Sequence, residues 1–442
     1  MSQENICVPD HSPPSDTAIE TLGRAKIETP LGAGRYISDG ERILVYVNMA
    51  VRSELKDGRN ATLELAGPRD RIYFDPAKTK AAVVTCGGLC PGINDVIRSM
   101  VLEAHHNYDI AGFYGVRYGL EGFNPDHGHE LMELTPDNVT HIHEFGGTIL
   151  GSSRGPQPME VIVDFLERHN IGVLFMIGGD GTMHAASALV EEIKRRNIKI
   201  GVIGVPKTID NDINFVANTF GFDTAVEKAT VAIRCAHTEA LGVPNGIGLV
   251  KVMGRQAGFI AAQSALALRD VDFVLVPEDE FEISGPHGFL TALHRRLKKR
   301  GHAVVVVAEG AGQHLLPESG ETDPSGNIKL GDITGLLRKE IDQYMQKAGL
   351  DYTLKYIDPS YMVRSVPANS NDGIYCGFLG QNAVHAAMAG KTAMVVSKWN
   401  GHYVHMPLGL VTRGRKRIDT CSNYWRSVLE STGQHVYYQP DE

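Results

Sequence analysis

The chain has 442 residues, 43% of them hydrophobic and 21% charged, a globular composition long enough for two or three domains of roughly 150 residues. Its 43 Lys and Arg against 52 Asp and Glu give a formal net charge of −9, which favours neither nucleic acid nor an anionic membrane surface, so an anionic ligand needs a local basic site. No apolar run approaches the roughly 20 residues of a membrane-crossing helix, the acidic start with Glu4, Asp10, Asp16 and Glu20 is unlike a secretory leader, and six scattered cysteines suit reduced thiols, which together predict a cytoplasmic protein.

Residues 1–75 read as an arm punctuated by Pro13-Pro14, Pro30, Gly32 and Gly34, with one strand at Ile43-Leu44-Val45-Tyr46-Val47. From Lys80 the pattern changes. Ala81–Thr85 predicts a buried strand, Gly87-Gly88 a turn, and Asn94–Ala104 a helix. The same unit recurs at Val173–Ile177, Gly178-Gly179 and a helix over His184–Arg196. Further strands are expected at Ile200–Val205, Gly246–Val252, Val271–Val276, Val304–Ala308 and Thr392–Val396, with surface loops at 285–288 and 317–326. Strands alternating with helices predict an α/β fold of mainly parallel sheets, with ligands beyond the carboxyl ends of the strands. The number of units predicts two Rossmann-like domains with a cleft between them.

The densest local signal is Gly178-Gly179-Asp180-Gly181-Thr182 between a strand and a helix. Successive glycines let backbone approach a ligand, and a helix N-terminus offers free N–H groups to phosphate. Asp180 would repel phosphate by itself and suits a Mg²⁺ ligand; a plain turn with Asp as a helix cap is the alternative. After the next strand comes Pro206-Lys207-Thr208-Ile209-Asp210-Asn211-Asp212. Two carboxylates beside a hydroxyl and an ammonium suit proton removal from an alcohol next to a polyanion. Arg154 in Ser152-Ser153-Arg154-Gly155, Arg255 in Met253-Gly254-Arg255, and Arg364 after Tyr361 could offset several negative charges, although each alone also reads as a surface ion pair. Glu309 follows a strand, where it could bind sugar hydroxyls or simply cap the strand end. Cys86 and Cys90 lack a second ligand pair for zinc, His141-Ile142-His143-Glu144 reads as surface, and Gly390-Lys391-Thr392 is no P-loop because His385 stands where its first glycine belongs.

Gly87-Gly88-Leu89-Cys90-Pro91-Gly92-Ile93-Asn94, Gly178–Thr182, Pro206–Asp212 and Met253-Gly254-Arg255, in that order, resemble the 6-phosphofructokinases over about residues 70–410. The arm, with Pro68-Arg69-Asp70 and Ile72-Tyr73-Phe74, looks like the long-chain ATP-dependent branch of plants and trypanosomatids, itself similar to pyrophosphate-dependent enzymes. The resemblance implies MgATP and fructose 6-phosphate as ligands and a homo-tetramer. It divides the chain into an arm (1–75), an ATP-binding domain (76–222, completed by about 366–410), a sugar-phosphate domain (223–365) and a C-terminal tail (411–442). By the same resemblance Asp210 is the base for the sugar 1-hydroxyl, with Thr208, Lys207 and Arg255 also catalytic. Asp180 serves the metal, Asp212 the metal or the base, and Gly88, Arg154, Gly155, Gly179, Asp180, Gly181 and Thr182 hold ATP. Thr208, Ile209, Asp210, Met253, Gly254, Arg255, Glu309, Tyr361, Met362, Val363 and Arg364 bind the sugar phosphate, and Lys355 falls where short bacterial enzymes have a phosphate-binding arginine. Gly246 stands where those enzymes place an arginine from a neighbouring subunit, which leaves the second 6-phosphate clamp unassigned.

Gly181 and Lys207 bear on the phosphoryl donor. Pyrophosphate-dependent relatives carry Asp and Lys at these positions, and short ATP-dependent enzymes carry glycine at both. A carboxylate at 181 would crowd and repel the α-phosphate, whereas Lys207 serves either donor, so the expected donor is ATP and the alternative pyrophosphate. A regulatory nucleotide-binding protein and an NAD kinase are the rival classes.

Overall fold

The computed structural model describes residues 17–48, 61–317, 320–322 and 328–438. The arm supplies β1 (Arg42–Leu44) and β2 (Thr62–Leu65), followed by β3 (Lys80–Thr85), β4 (Gly112–Val116), β5 (Met132–Glu133), β6 (Val173–Gly178) and β7 (Gly201–Pro206). Then come β8 (Gly246–Val252), β9 (Phe273–Leu275), β10 (His302–Ala308) and β11 (Thr353–Ile357), and finally β12 (Met394–Trp399) and β13 (His402–Pro407). Among the described residues nine strands form one sheet, in the order β1-β2-β13-β12-β7-β6-β3-β4-β5, and four form a second, β9-β10-β8-β11. The second sheet is entirely parallel. In the first, β12, β7, β6, β3 and β4 run parallel, and antiparallel strands close both edges. The fold is thus α/β with two mainly parallel sheets. The central strands β6 and β7 are buried at every residue, as strands covered by helices on both faces must be.

The helices are α1 (Ile93–Glu103), α2 (Met159–Arg168), α3 (Asp180–Arg195), α4 (Phe222–Leu241), α5 (Phe259–Leu268), α6 (Phe289–Arg300) and α7 (Ile333–Ala348). After them come α8 (Ser360–Arg364), α9 (Ser370–Met388), α10 (Leu408–Val411), α11 (Asn423–Thr432) and α12 (Gln434–Tyr438). The chain crosses between the two sheets over residues 207–221, 358–369 and 412–422, and all three crossings run past the carboxyl ends of the central strands.

Three expectations need correction. The arm strand ends at Leu44, not Val47, because the Val45 carbonyl is taken sideways by the Trp399 indole N–H at 2.8 Å. The strand expected at Thr392–Val396 is broken at Ala393, whose φ is 56°. The helix expected from His184 begins at Asp180, with Gly179 as its N-cap, so Gly181 and Thr182 belong to its first turn. An acidic residue there is favoured by the helix dipole. The 317–326 loop lies largely outside the described residues.

The arm is tied to the first sheet by buried charge. Glu64 Oε1 accepts from Arg69 at 2.7 Å, His405 at 2.9 Å and Lys391 at 3.1 Å. The C-terminal segment also docks: Trp425 is 2% exposed, and the Gln434 amide accepts from Val274 N–H at 2.8 Å on the edge strand β9.

Candidate active site

The Gly87-Gly88 turn follows β3 and is pinned from both sides. Gly87 N–H donates to Ser153 O at 3.2 Å, and Ser152 Oγ donates to Gly87 O at 2.6 Å. Lys207, at the end of β7 and 5% exposed, donates its Nζ to Gly88 O at 2.6 Å. A Cβ on Gly88 would stand 3.8 Å from Arg154 Nη2 and 3.9 Å from Arg364 Nη1, so three cations converge on one turn. Burial pulls the Lys207 ammonium below its ordinary range, and Arg154 and Arg364 add to that. A cluster of like charges with a buried member is costly unless an anion enters it.

Three carboxylates line the same cleft. Asp180 opens α3, while Asp210 and Asp212 sit on the loop after β7. That loop turns at Asn211, whose φ is 55°, and whose side chain accepts from Thr219 N–H at 3.1 Å. Thr208 Oγ1 accepts from Asp210 N–H at 3.1 Å. Asp210 Oδ1 is enclosed and has no hydrogen-bond partner. Burial, with Asp212 and Glu309 nearby, pushes the Asp210 carboxyl well above its ordinary range, against the opposing pull of the Arg255 backbone amide and Arg415. Burial likewise raises Asp212, opposed by Arg415 and Thr208. Glu309, just past β10, is raised by burial and drawn back by Arg255, Lys251 and Arg364.

Asp180, Asp210 and Asp212 line, with Arg154, Lys207 and Arg364, a cleft of about 730 Å³. Its lining also includes the apolar side chains of Leu120, Pro156, Met159, Ala185 and Ala188. Gly178 admits no side chain, because a Cβ would meet Thr182 Oγ1 at 2.1 Å. Gly181 is different: a Cβ there meets nothing within 4 Å. Glycine in a helix costs about 0.5–1 kcal/mol relative to alanine, so space inside the cleft, rather than the fold, is what its missing side chain provides.

The structure brings together Gly88, Arg154, Gly155, Gly179, Asp180, Gly181, Thr182, Lys207, Thr208, Ile209, Asp210, Asp212, Met253, Arg255 and Arg364 around this one cleft. Gly254, at φ 129°, shapes the Arg255 turn, and Glu309 docks on the same segment through its N–H to Val252 O at 3.0 Å. Four expected residues stand elsewhere. Val363 is 1% exposed and packs into the core. Tyr361 and Met362 are 74% and 65% exposed, Tyr361 lying under the Arg364 guanidinium with 5.0 Å from ring centre to guanidinium. Lys355, on β11, pairs with Glu239 at 3.6 Å away from the cleft lining. At Gly246 a Cβ would meet Ala240 O at 2.1 Å, so the packing of α4 on β8 forbids any side chain there.

Arg415 was missed by the sequence reading. It reaches the cleft from the third crossing, 3.2 Å from Asp180 Oδ2 and 3.9 Å from Asp212 Oδ2. The basic run Arg413-Gly414-Arg415-Lys416-Arg417 was its available signal. The apolar lining residues Leu120, Pro156, Met159, Ala185 and Ala188 carry no sequence signal that distinguishes them from core. Among the described residues no group of three or more His, Cys, Asp and Glu converges as a metal cage. A Mg²⁺ ion that travels with phosphates needs only one or two carboxylates, and the oxygen donors of Asp180 and Asp212 fit it.

The family model described as Phosphofructokinase matches residues 80–387. An ATP-dependent 6-phosphofructokinase of Borreliella burgdorferi is 48% identical over 438 residues, covering 95% of this chain and 97% of its own. A chloroplastic ATP-dependent 6-phosphofructokinase of Arabidopsis thaliana is 44% identical over 409 residues, covering 90% of this chain and 76% of its own. Among solved structures, a pyrophosphate-dependent phosphofructokinase of Marinobacter aquaeolei superposes with a TM-score of 0.65 at 23% identity, over 80% of this chain and 91% of that one, a likeness of fold. Among the described residues no helix is long and apolar enough to cross a membrane.

Proposed function

Because the chain belongs to the phosphofructokinase family, we propose that its cleft transfers the γ-phosphoryl group of MgATP to the 1-hydroxyl of fructose 6-phosphate, with Asp210 as the base. The protein is a glycolytic kinase of the ATP-dependent 6-phosphofructokinase class, as its relatives at 44% and 48% identity are named. The observation that carries the mechanism is the meeting of two charge clusters in one cleft, with Arg154, Lys207 and Arg364 at the Gly87-Gly88 turn and Asp180, Asp210 and Asp212 in the same lining.

Phosphoryl transfer asks a protein chiefly to position reactants and neutralise spreading charge. The three cations are built for the equatorial oxygens of the moving group. The buried, partnerless Oδ1 of Asp210 is suited to accept the hydroxyl proton, and a carboxyl raised above its ordinary range is a stronger base than an exposed one. Thr208, Ile209, Met253, Gly254, Arg255 and Glu309 are assigned to the sugar beside Asp210, and the apolar part of the cleft lining suits a nucleobase. Mg²⁺, held by Asp180 and Asp212 together with phosphate oxygens, would supply charge neutralisation. Pyrophosphate is the second reading of the donor, since Lys207 serves either one; the open space at Gly181 supports ATP.

A cytosolic homo-oligomer completes the proposal. Cys86, Cys90, Cys235, Cys376 and Cys421 are unpaired thiols, as a reducing compartment keeps them. Ile374 and Phe378 on α9 are 63% and 45% exposed, apolar area that a second copy would cover. The catalytic assignment is tested with Asp210→Ala. Turnover should fall by about 10²–10⁴-fold with ATP affinity kept, and near-normal turnover in the folded variant would remove Asp210 as base.

A further inference from the structure

Arg415 lies on the third crossing between the sheets, between α10, which packs on α3 beside the nucleotide side of the cleft, and α11, which packs on α5 under the second sheet. Its neighbours anchor this crossing without help from the Arg415 side chain. Lys416 N–H donates to Asp212 O at 2.9 Å, and Ile213 and Arg415 form an antiparallel backbone bridge. Lys416 Nζ donates to Ala217 O at 2.8 Å, Val216 O at 2.9 Å and Asn211 Oδ1 at 3.0 Å, and lies 5.0 Å from the centre of the Phe259 ring. Further on, Ile418 N–H donates to Glu278 Oε1 at 2.9 Å, and the same carboxylate accepts from Gly258 N–H at 3.1 Å. Backbone and Lys416 therefore hold the acid loop to the crossing and the crossing to the segment after Arg255.

The Arg415 guanidinium is left for a different task. Its side chain is 27% exposed, it lines the cleft, and it spans two carboxylates from separate elements, Asp180 at the start of α3 and Asp212 on the loop after β7. Arg415 meets Oδ2 of both acids, while Asp180 Oδ1 lies 3.5 Å from His184 Nδ1, so a divalent cation that takes the Oδ2 atoms competes with the guanidinium, because like charges repel in a partly dry site. When the acids are taken, Arg415 remains tethered at the cleft by its backbone bridge, and its planar fork suits phosphate oxygens.

We propose that Arg415 is a positioning residue that exchanges partners: it holds Asp180 and Asp212 while the cleft is empty and turns to the nucleotide phosphates when Mg²⁺ enters with them. This rests on the reading of Asp180 and Asp212 as the metal-side carboxylates. Its consequence is a thermodynamic order. The empty protein binds divalent metal weakly because Arg415 competes for the same oxygens, and metal and nucleotide strengthen each other's binding.

The test measures Mn²⁺ binding by electron paramagnetic resonance, first to the nucleotide-free protein and then with ADP, in the wild type and in Arg415→Met, Arg415→Lys and Asp180→Asn. Arg415→Met, which keeps an apolar stem, should bind Mn²⁺ alone about tenfold or more tightly and lose much of the synergy with ADP, while Arg415→Lys stays near the wild type. A purely structural arginine would give unchanged or weaker Mn²⁺ binding in Arg415→Met, and that result overturns the proposal. Asp180→Asn separates the two layers. If it weakens Mn²⁺ binding with ADP but Arg415→Met does not tighten Mn²⁺ alone, the exchange fails and the metal reading stands. If Asp180→Asn leaves Mn²⁺ binding with ADP unchanged, both fail.

Discussion

Gly181→Asp separates the fold from the choice of donor. The position lies in the first turn of α3, and a Cβ there meets nothing within 4 Å, so the side chain is accommodated without displacing a neighbour. Replacing a helical glycine by Asp gains only about 0.3 kcal/mol in propensity, and a carboxylate in a first turn is favoured by about 0.3–1 kcal/mol. Set against repulsion from the carboxylates of the cleft, these gains should leave thermal unfolding close to that of the wild type, so the variant folds. The carboxylate would project into a cleft already bordered by Asp180, Asp210 and Asp212. Two unit charges about 4 Å apart repel by about 4 kcal/mol at an effective dielectric of about 20, so kcat/KM for ATP should fall by about 10³-fold. The smaller donor, pyrophosphate, should suffer less. Steady-state kinetics with each donor and calorimetry on the same preparation read both halves. Full ATP efficiency in a folded Gly181→Asp would refute the argument that the missing side chain at 181 makes room for the nucleotide.

Asp210→Asn should raise stability while it abolishes turnover. The folded Asp210 carboxyl is held above its ordinary range by burial, so its contribution to stability is complete below the unfolded value of 3.8 and is lost as pH rises through the folded one. Replacing the carboxyl with an amide that does not ionise removes the penalty of burying its charge, a gain of about 1–3 kcal/mol near neutral pH, with little gain at pH 4, and melting curves at both pH values check this. Glu64→Gln should cost about 3 kcal/mol, the lower end for a broken buried pair, because Asp39 also reaches Arg69 and Lys391. Burial opposes ionisation of Glu64, but His405, Lys391 and Arg69 outweigh it and hold its carboxyl at about 2 against 4.5 unfolded. That stability is therefore present above pH 4.5 and drains as pH falls toward 2, and an acid titration of unfolding should show the variant losing this limb.

What the sequence revealed was local. Runs such as Val304–Ala308 read as buried parallel strands because β-branched residues filled both faces, and the acid loop was legible because it stands directly after such a run. The start of α3 was misplaced because glycines at 179 and 181 look like loop, whereas Asp180 in a first turn offsets their cost. The meeting of Arg154, Lys207 and Arg364 at Gly88 joins three distant segments, and no spacing rule connects them. Arg415 lay in a stretch without helix or strand periodicity, read as a tail, and only the crossing between the sheets brings it to Asp180. Gly246 looked like a missing arginine; the approach of α4 to β8 gives it a steric reason instead.

The most direct test is formation of fructose 1,6-bisphosphate by the purified protein with Mg²⁺ and fructose 6-phosphate, comparing ATP with pyrophosphate as donor. Product with ATP and little with pyrophosphate is the predicted result. Product with pyrophosphate alone would contradict the donor assignment, and no product with either would contradict the proposed reaction.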